Sequence, residues 1–331
     1  MNKKAIALIS GGLDSLLAAK IVQDQGVKVQ GAAFLMQFAS KDIKIFKRQI
    51  KKASDEAGIP VKFIDMSKEF LEVLKKPNYG YGANLNPCID CKILMCKLAK
   101  NLMKKESAGF IVTGEVLGER PMSQRRDALN IIEKKSGLKG LLLRPLSAKL
   151  LEETVPEKEG IVGRDKLCAL SGRGRDRQLA MAKKYGLTKF FAPSGGCLLT
   201  DSIFSKKLKD LILKKELTSE NVSLLKYGRH FRVDEKTKAV VGRDQNDNEN
   251  IFKLKKQTDV FLRFKTDPGP YVLMRGKKHA ENIQKAAGLL IGHSKSRKKT
   301  NVAVEVQAGK KTKKIIKADP LDKVTIDKLR I

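Results

Sequence analysis

The stretch Lys4-Ala5-Ile6-Ala7-Leu8-Ile9-Ser10-Gly11-Gly12-Leu13-Asp14-Ser15 decides how the chain is read. Residues 4–10 form a short apolar run, read as a buried strand. Leu13, Leu16, Leu17, Ile21 and Val22 then recur at helical spacing over residues 13–25. The turn between them is Ser10-Gly11-Gly12-Leu13-Asp14-Ser15. Its two glycines let the backbone approach a phosphate closely, and the helix that follows offers free N–H groups and the positive end of its dipole. Ser10 and Ser15 add hydroxyl donors, and Asp14 can organise a Mg²⁺ that neutralises phosphate charge. No Lys follows the glycines, so this is not the GxxxxGK[ST] loop.

Working outward, residues 29–36, 61–65, 110–113 and 141–143 read as further strands, with a helix over 44–57 that Gly58 and Pro60 end. Strands alternating with helices predict an α/β fold: a doubly wound parallel sheet whose ligand site lies beyond the strands' carboxyl ends. Past a Lys/Leu-rich helical stretch near 202–225 the texture changes. Short strands are expected at 240–242, 259–264, 271–274 and 302–306, a turn at Asp267-Pro268-Gly269-Pro270, and one helix over 279–291. The expected organisation is a nucleotide-binding domain over 1–200, a helical linker over 201–225 and a smaller basic α+β domain over 226–331.

The 331 residues are 41% hydrophobic, enough for two or three cored domains and too much for global disorder. The net charge of +32 favours a polyanionic partner. It is concentrated: residues 251–317 hold 18 Lys and Arg against four Asp and Glu, a net of +14. No apolar run is long enough to cross a membrane, and the apolar start is too short for a signal peptide, so a cytoplasmic protein without a membrane partner is expected. Five cysteines, two in the CxxC Cys88–Cys91, suit metal, cluster or redox chemistry better than disulfides. His230, His279 and His293 show no ligand or triad spacing and read as structural residues or RNA contacts.

SGGLDS on the first strand–helix turn resembles the PP-loop of the adenine nucleotide α-hydrolase family. The resemblance implies cleavage of ATP between the α- and β-phosphates, with a substrate oxygen adenylated. It also implies that the end of the second strand, at Phe34 and Met36, holds the adenine.

Asn86-Pro87-Cys88-Ile89-Asp90-Cys91 opens an amphipathic segment, and Ser194-Gly195-Gly196-Cys197 follows about a hundred residues later in a Gly-rich stretch. A helix starting after Cys88 would favour thiolate by lowering the thiol pKa. Cys96 and Cys168 read as structural thiols. NPCxxC resembles tRNA thiouridylases of the PP-loop class. In the 2-thiouridylases one Cys here and one later form a persulfide and resolving pair, which Cys91 and Cys197 match. With Cys88 added, the set also resembles the iron–sulfur-dependent thiolases of that superfamily. There three Cys, here Cys88, Cys91 and Cys197, hold a [4Fe-4S] cluster whose fourth iron is open to sulfur. Redox or zinc use of the CxxC is the plainer alternative.

Val112-Thr113-Gly114-Glu115-Val116-Leu117-Gly118, then Ser123-Gln124 and Arg144-Pro145-Leu146, resembles the ATP domain of tRNA 4-thiouridine synthases. This places Thr113 and Gly114 beside the nucleotide, with Gln124 shaping the loop over it. Residues 259–275, TDVFLRF…PGPYVLMRG, are similar to the NFACT RNA-binding domain of ribosome-quality-control proteins. The expected phosphate contacts are Arg263, Arg275, Lys277, Lys278, Lys295, Arg297, Lys298 and Lys299, with Arg164, Arg173, Arg175 and Arg177 extending the track.

Together these features imply an ATP-dependent tRNA sulfurtransferase. Asp14, Cys91 and Cys197 would be catalytic, and ATP, Mg²⁺ and a [4Fe-4S] cluster the cofactors. Partners would be tRNA and a sulfur donor (sulfide, or sulfur from a cysteine desulfurase). The TGExLG block leans to 4-thiouridine and NPCxxC to 2-thiouridine. A persulfide thiouridylase, a PP-loop enzyme with another acceptor and a non-catalytic RNA-binding factor are the alternatives. Oligomeric state stays open, a homodimer included.

Overall fold

The computed structural model describes residues 2–191, 197–309 and 312–331. Ser194, Gly195 and Gly196 of the Gly-rich stretch before Cys197, and Lys310 and Lys311 of the basic region, lie outside the described residues. The chain divides into two compact units, residues 1–201 and 202–331.

The first unit runs β1 (Lys4–Leu8), α1 (Leu13–Gln23), β2 (Lys28–Leu35), α2 (Ile43–Glu56), β3 (Val61–Asp65), α3 (Ser67–Lys75), α4 (Cys88–Lys105), β4 (Phe110–Val112), α5 (Arg126–Ser136), β5 (Leu142–Leu143), α6 (Val155–Lys158) and α7 (Asp176–Lys184). The five strands are parallel in the order β3-β2-β1-β4-β5. β1 is central. Ala5 and Ala7 join the core that holds Leu13, Leu16 and Leu17 of α1, while Ile6 and Leu8 are buried on the opposite face. α4 packs against β1 and β4. A strand buried on both faces needs an unbroken apolar run, which residues 5–9 supply. Strand order reverses between β1 and β4, so the crevice for a ligand opens beyond Leu8 and Val112.

The second unit runs α8 (Ser202–Leu213), α9 (Ser219–Leu224), β6 (Arg229–Asp234), β7 (Thr237–Val241), α10 (Gln245–Lys253), β8 (Val260–Phe264), β9 (Val272–Arg275), α11 (Ala280–Gly292), β10 (Val302–Ala308), β11 (Thr312–Ala318) and α12 (Lys323–Leu329). Its sheet is antiparallel, β11-β10-β8-β9-β7-β6. Ala286, Ala287 and Leu290 of α11 pack with Val272, Met274, Val304 and Val306 on one face. Leu224 and Ile251 cover Val240, Phe261 and Leu273 on the other.

Residues 202–224, expected to lie in a linker, are tied to this sheet. Arg232 of β6 bonds Asp210 of α8 at 2.8 and 2.9 Å and Glu216 at 2.6 Å, and Lys238 lies 3.4 Å from Asp210. No helix among the described residues is long and apolar enough to cross a membrane.

Candidate active site

β1 hands the chain to α1 through Ser10–Ser15. Gly11 has φ +81°, and a Cβ on it would collide with the Phe191 ring. The Phe191 N–H donates to the Gly11 carbonyl at 2.9 Å, and the ring stacks on Phe46 at 5.3 Å. Gly12 caps α1 without a side-chain bond, so the first helical turn is left for an outside acceptor. The Ser15 hydroxyl donates to the Gly12 carbonyl at 2.7 Å, accepts from the Ser10 N–H at 3.2 Å and lies 3.3 Å from Ser10 Oγ. Both hydroxyls assigned to phosphate are therefore engaged with each other and with the loop.

Asp14 is the unbalanced member of this turn. Its Oδ1 is buried with no hydrogen-bond partner, while Oδ2 lies 3.8 Å from Arg175 Nη2. Burial pushes this carboxyl above its ordinary pKa, and Arg175 and Arg120 only partly offset the rise.

The neighbouring strand meets the loop directly. A Cβ on Gly114 would fall on the backbone of Asp14 and Ser15. Thr113 is buried, with its hydroxyl 3.2 Å from Glu115. Glu115 is itself buried and accepts from Arg144 at 3.1 Å, while Arg144 also bonds Glu133 at 3.0 Å. Burial alone would raise the Glu115 pKa, but Lys92 and Arg144 outweigh it and hold the carboxyl below its ordinary range. The RPL motif thus supplies the counter-ion that fixes TGE beside the loop.

All five cysteines are free. Cys88 and Cys91 occupy the first turn of α4, with the Cys91 N–H bonded to the Pro87 carbonyl at 2.8 Å and Asn86 Nδ2 3.3 Å from Cys88 Sγ. Cys197 is placed by the Leu198 N–H, which donates to Phe38 at 2.9 Å. Burial, with smaller contributions from Cys197 and Cys88, pushes the Cys91 thiol up to about 12. Burial likewise raises Cys197 to about 11, with Cys88 adding to the rise and Arg120 opposing it. The three thiols therefore share one electrostatic neighbourhood, although Cys197 follows Cys91 by 106 positions. The expectation that the helix start favours thiolate is overturned for Cys91, because desolvation exceeds the dipole's pull. Among the described residues, no three His, Cys, Asp or Glu side chains gather closely enough to hold a single metal ion.

Other expected contacts fare differently. Phe34 is buried, which leaves its ring little surface for an adenine, and Met36 is half-buried just past β2. Gln124 is buried in a turn where its carbonyl accepts from Gly118 at 2.7 Å, and its Oε1 has no partner. Arg164 bonds Glu157 at 2.5 Å and the Leu151 carbonyl at 2.9 Å, and Arg175 lies 3.8 Å from Asp14. Sequence reasoning missed Arg120, Glu119 and Lys92. Arg120 acts electrostatically on both Asp14 and Cys197, and Lys92 acts on both Cys91 and Glu119. Their only sequence signal was position between the TGE and SQ motifs, or next to Cys91.

In the second unit the eight cations do not form one patch. Lys277 and Lys278 precede α11, whereas Lys295, Arg297, Lys298 and Lys299 follow it, and all six are exposed. The helix between them is about 20 Å long. Arg263 bonds Glu305 at 2.9 Å. Arg275 is a correction: it bonds Asp259 at 2.7 and 2.9 Å, Asn221 at 2.7 Å and the Leu254 carbonyl at 3.2 Å, so its guanidinium is committed inside the fold. His230 is buried, with Nε2 2.8 Å from the Tyr227 carbonyl; His293 Nδ1 lies 2.9 Å from the Leu289 carbonyl.

Residues 1–156 match the family model described as "Thiamine biosynthesis protein (ThiI)", and residues 228–330 match "NFACT protein RNA binding domain". The chain is 30% identical over 121 residues to a "tRNA-specific 2-thiouridylase MnmA" of Sulfurimonas denitrificans, covering 35% of this chain and 36% of that protein. It is 30% identical over 153 residues to a "Probable tRNA sulfurtransferase" of Thermococcus kodakarensis, covering 46% and 39%. Among solved structures, a 4-thiouridine synthetase–RNA complex with bound ATP aligns at 19% identity and TM-score 0.36, covering 55% of this chain and 49% of that one. The chain spans roughly a third of the length of the curated relatives it matches.

Proposed function

From a ThiI-type segment over residues 1–156 joined to an NFACT-type RNA-binding segment over 228–330, we propose that this protein transfers sulfur to a tRNA uridine. ATP is consumed to AMP and pyrophosphate, and 4-thiouridine is the product. One arrangement carries the reading. At the reversal of strand order Gly114 meets Asp14 and Ser15, and Arg120 acts on both Asp14 and the cysteine group. The chemistry is assigned to residues 1–200 and the affinity for tRNA to 226–331, with 201–225 between them.

The triphosphate lies over Gly11 and Gly12, and the hydroxyls of Ser10 and Ser15 turn from each other to its oxygens. The target uridine leaves its stack, which costs a few kcal/mol. Its carbonyl oxygen O4 attacks the α-phosphorus, the bond to pyrophosphate breaks, and the base is left adenylated. Sulfide, or the terminal sulfur of a persulfide charged by a cysteine desulfurase, attacks C4; the C–O bond breaks and AMP leaves. On the persulfide route a second thiol then attacks the inner sulfur, breaking its bond to the sulfur on the base and leaving a disulfide that a thiol reductant reopens. Arg120 and Arg175 set positive charge where negative charge grows.

The orphaned Asp14 Oδ1 suits Mg²⁺, which would neutralise the phosphates. Three free thiols in one neighbourhood suit a [4Fe-4S] cluster in donor type and number. Cys88, Cys91 and Cys197 would hold it, and it would supply an iron with an open position for sulfur. The mutual influence of Cys91 and Cys197 also suits a persulfide and resolving pair, which gives the same product without iron.

Protein reconstituted with iron and sulfide under argon is expected to form AMP and pyrophosphate only with tRNA and sulfide present, and digests of that tRNA to contain thiouridine by mass spectrometry. ADP as product, or no turnover with any tRNA, overturns the proposal. Asp14→Asn should abolish AMP formation, and Cys197→Ala should bind tRNA but not thiolate it. Full thiolation by iron-free protein charged with persulfide by a cysteine desulfurase, with a thiol reductant and no free sulfide, would assign the persulfide route.

A further inference from the structure

The antiparallel sheet of the second unit has one face that is only half covered. Beyond β8 the register sets Arg263 opposite Glu305 and Glu305 opposite Ile315, with Phe261, Gln307 and Lys313 in the next row and Ala303 beside Lys317. Side chains alternate along a strand, so all of these project from the face opposite α11. Val304, Val306 and Ile316 take the other parity and join the core under α11.

Among the described residues this open half is cationic and carries half-exposed apolar groups. Ile315 is 52% exposed and Phe252, at the end of α10, is 49% exposed. Lys313 and Lys317 are exposed, and the Arg263 side chain is 41% exposed. The Phe252, Phe261 and Tyr271 rings pack edge to face at 5.2 and 5.1 Å, and Lys255 Nζ sits 5.0 Å from the Phe252 ring centre while bonding Gln307 at 2.8 Å. Glu305 is the one acid in these rows, bonded to Arg263 at 2.9 Å and 4.0 Å from Lys313. From Phe261 to Lys313 the face spans two strand spacings, about 10 Å.

We propose that this face holds an unpaired stretch of RNA, with a base stacked on Phe252 and its phosphates on Lys313 and Lys317. A flat basic sheet rimmed by an exposed aromatic ring suits splayed bases; a duplex keeps its base faces to itself and offers such a surface only phosphates. The exposed lysines at the two ends of α11, by contrast, lie in a stretch, residues 277–299, that holds no Phe, Tyr or Trp. The inference rests on the RNA-binding reading of the second unit proposed above, and names where and in what form the RNA is held.

The chain contains no Trp, so Phe252→Trp introduces a single emitter on this face. Its fluorescence in the full chain should be quenched on titration with a 12-nucleotide oligouridine. Phe252→Ala should weaken that binding about tenfold. The double variant Lys313→Glu, Lys317→Glu should flatten the log–log salt slope by about 1.4, whereas Lys295→Glu, Lys298→Glu beyond α11 should leave oligouridine affinity within about twofold. Melting temperatures check that each variant is folded. An unquenched emitter at saturation overturns the proposal, as does a duplex bound as tightly as the single strand, or wild-type affinity in both sheet variants. A wild-type chain that binds no RNA of any kind overturns the RNA-binding reading itself. Because the readout is binding, it stands apart from whether the protein makes thiouridine.

Discussion

Gly114 lies against the peptide that joins Asp14 to Ser15, with no room for a side chain between them. Two stretches a hundred residues apart are thereby pressed into one wall of the crevice. Gly114→Ala should separate them, at a cost of about 1–3 kcal/mol of stability, and should weaken ATP binding more than tenfold by calorimetry. Gly174→Ala is the control, since nothing lies within 4 Å of a Cβ there. Unaltered ATP affinity in Gly114→Ala would show that the contact does not shape the site.

The half-buried thiols of Cys91 and Cys197 should be slow to react. With Cys91 near 12 and Cys197 near 11, little thiolate exists at pH 8. Iodoacetamide should label each at least a hundredfold more slowly than an ordinary cysteine in the cluster-free protein, read by peptide mass spectrometry. Rapid labelling of either would contradict their burial.

Arg275 should behave as a structural residue. Asp259 is 1% exposed; its two side-chain bonds come from this guanidinium, and the Lys256 N–H donates a third at 2.8 Å. Arg275→Ala leaves that carboxylate buried without a counter-ion, a loss of about 3–5 kcal/mol. Urea denaturation should show the second unit unfolding early. A variant of native stability with weakened RNA binding would return Arg275 to the list of phosphate contacts.

His230 should make the second unit acid-sensitive. Burial, and then the charges of Lys238 and Lys207, hold its pKa well below 6.5, so the folded state keeps it neutral where the unfolded chain takes up a proton. The unfolded state then binds more protons in acid, and stability is lost as pH falls below about 6.5. The urea midpoint should drop between pH 7.5 and 5.5, and His230→Phe should flatten that dependence. A wild-type midpoint independent of pH over this range would exclude the effect.

Much of the first unit was legible from the chain. Strand residues 5–8 and helix residues 13–23 follow from apolar spacing, and the turn between them from two adjacent glycines. The SGGLDS, TGE and RPL motifs named residues that the fold gathers, since Arg144 bonds Glu115 and Gly114 abuts Asp14. Arg120 was not legible, because an exposed arginine in a loop looks the same whether it faces solvent or a crevice. Nor was the state of the cysteines: helix position argued for low thiol pKa, and only burial, which no local pattern records, reversed the sign. In the second unit, charge density pointed to a polyanion, but it could not show that Arg275 is engaged inside the fold or that Lys277 and Lys278 sit at the opposite end of α11 from Lys295, Arg297, Lys298 and Lys299.

What the chain determined alone is what short spans encode: alternation of strand and helix, a glycine turn able to cradle phosphate, and a strongly basic C-terminal third. Tertiary structure decided which distant residues meet and which cations remain open. The order β3-β2-β1-β4-β5 brings Gly114 to Asp14, and the side chosen by α11 leaves Lys313, Ile315 and Phe252 uncovered. Spacing along a strand or helix is a local property, whereas desolvation and contact depend on what the rest of the chain lays across it.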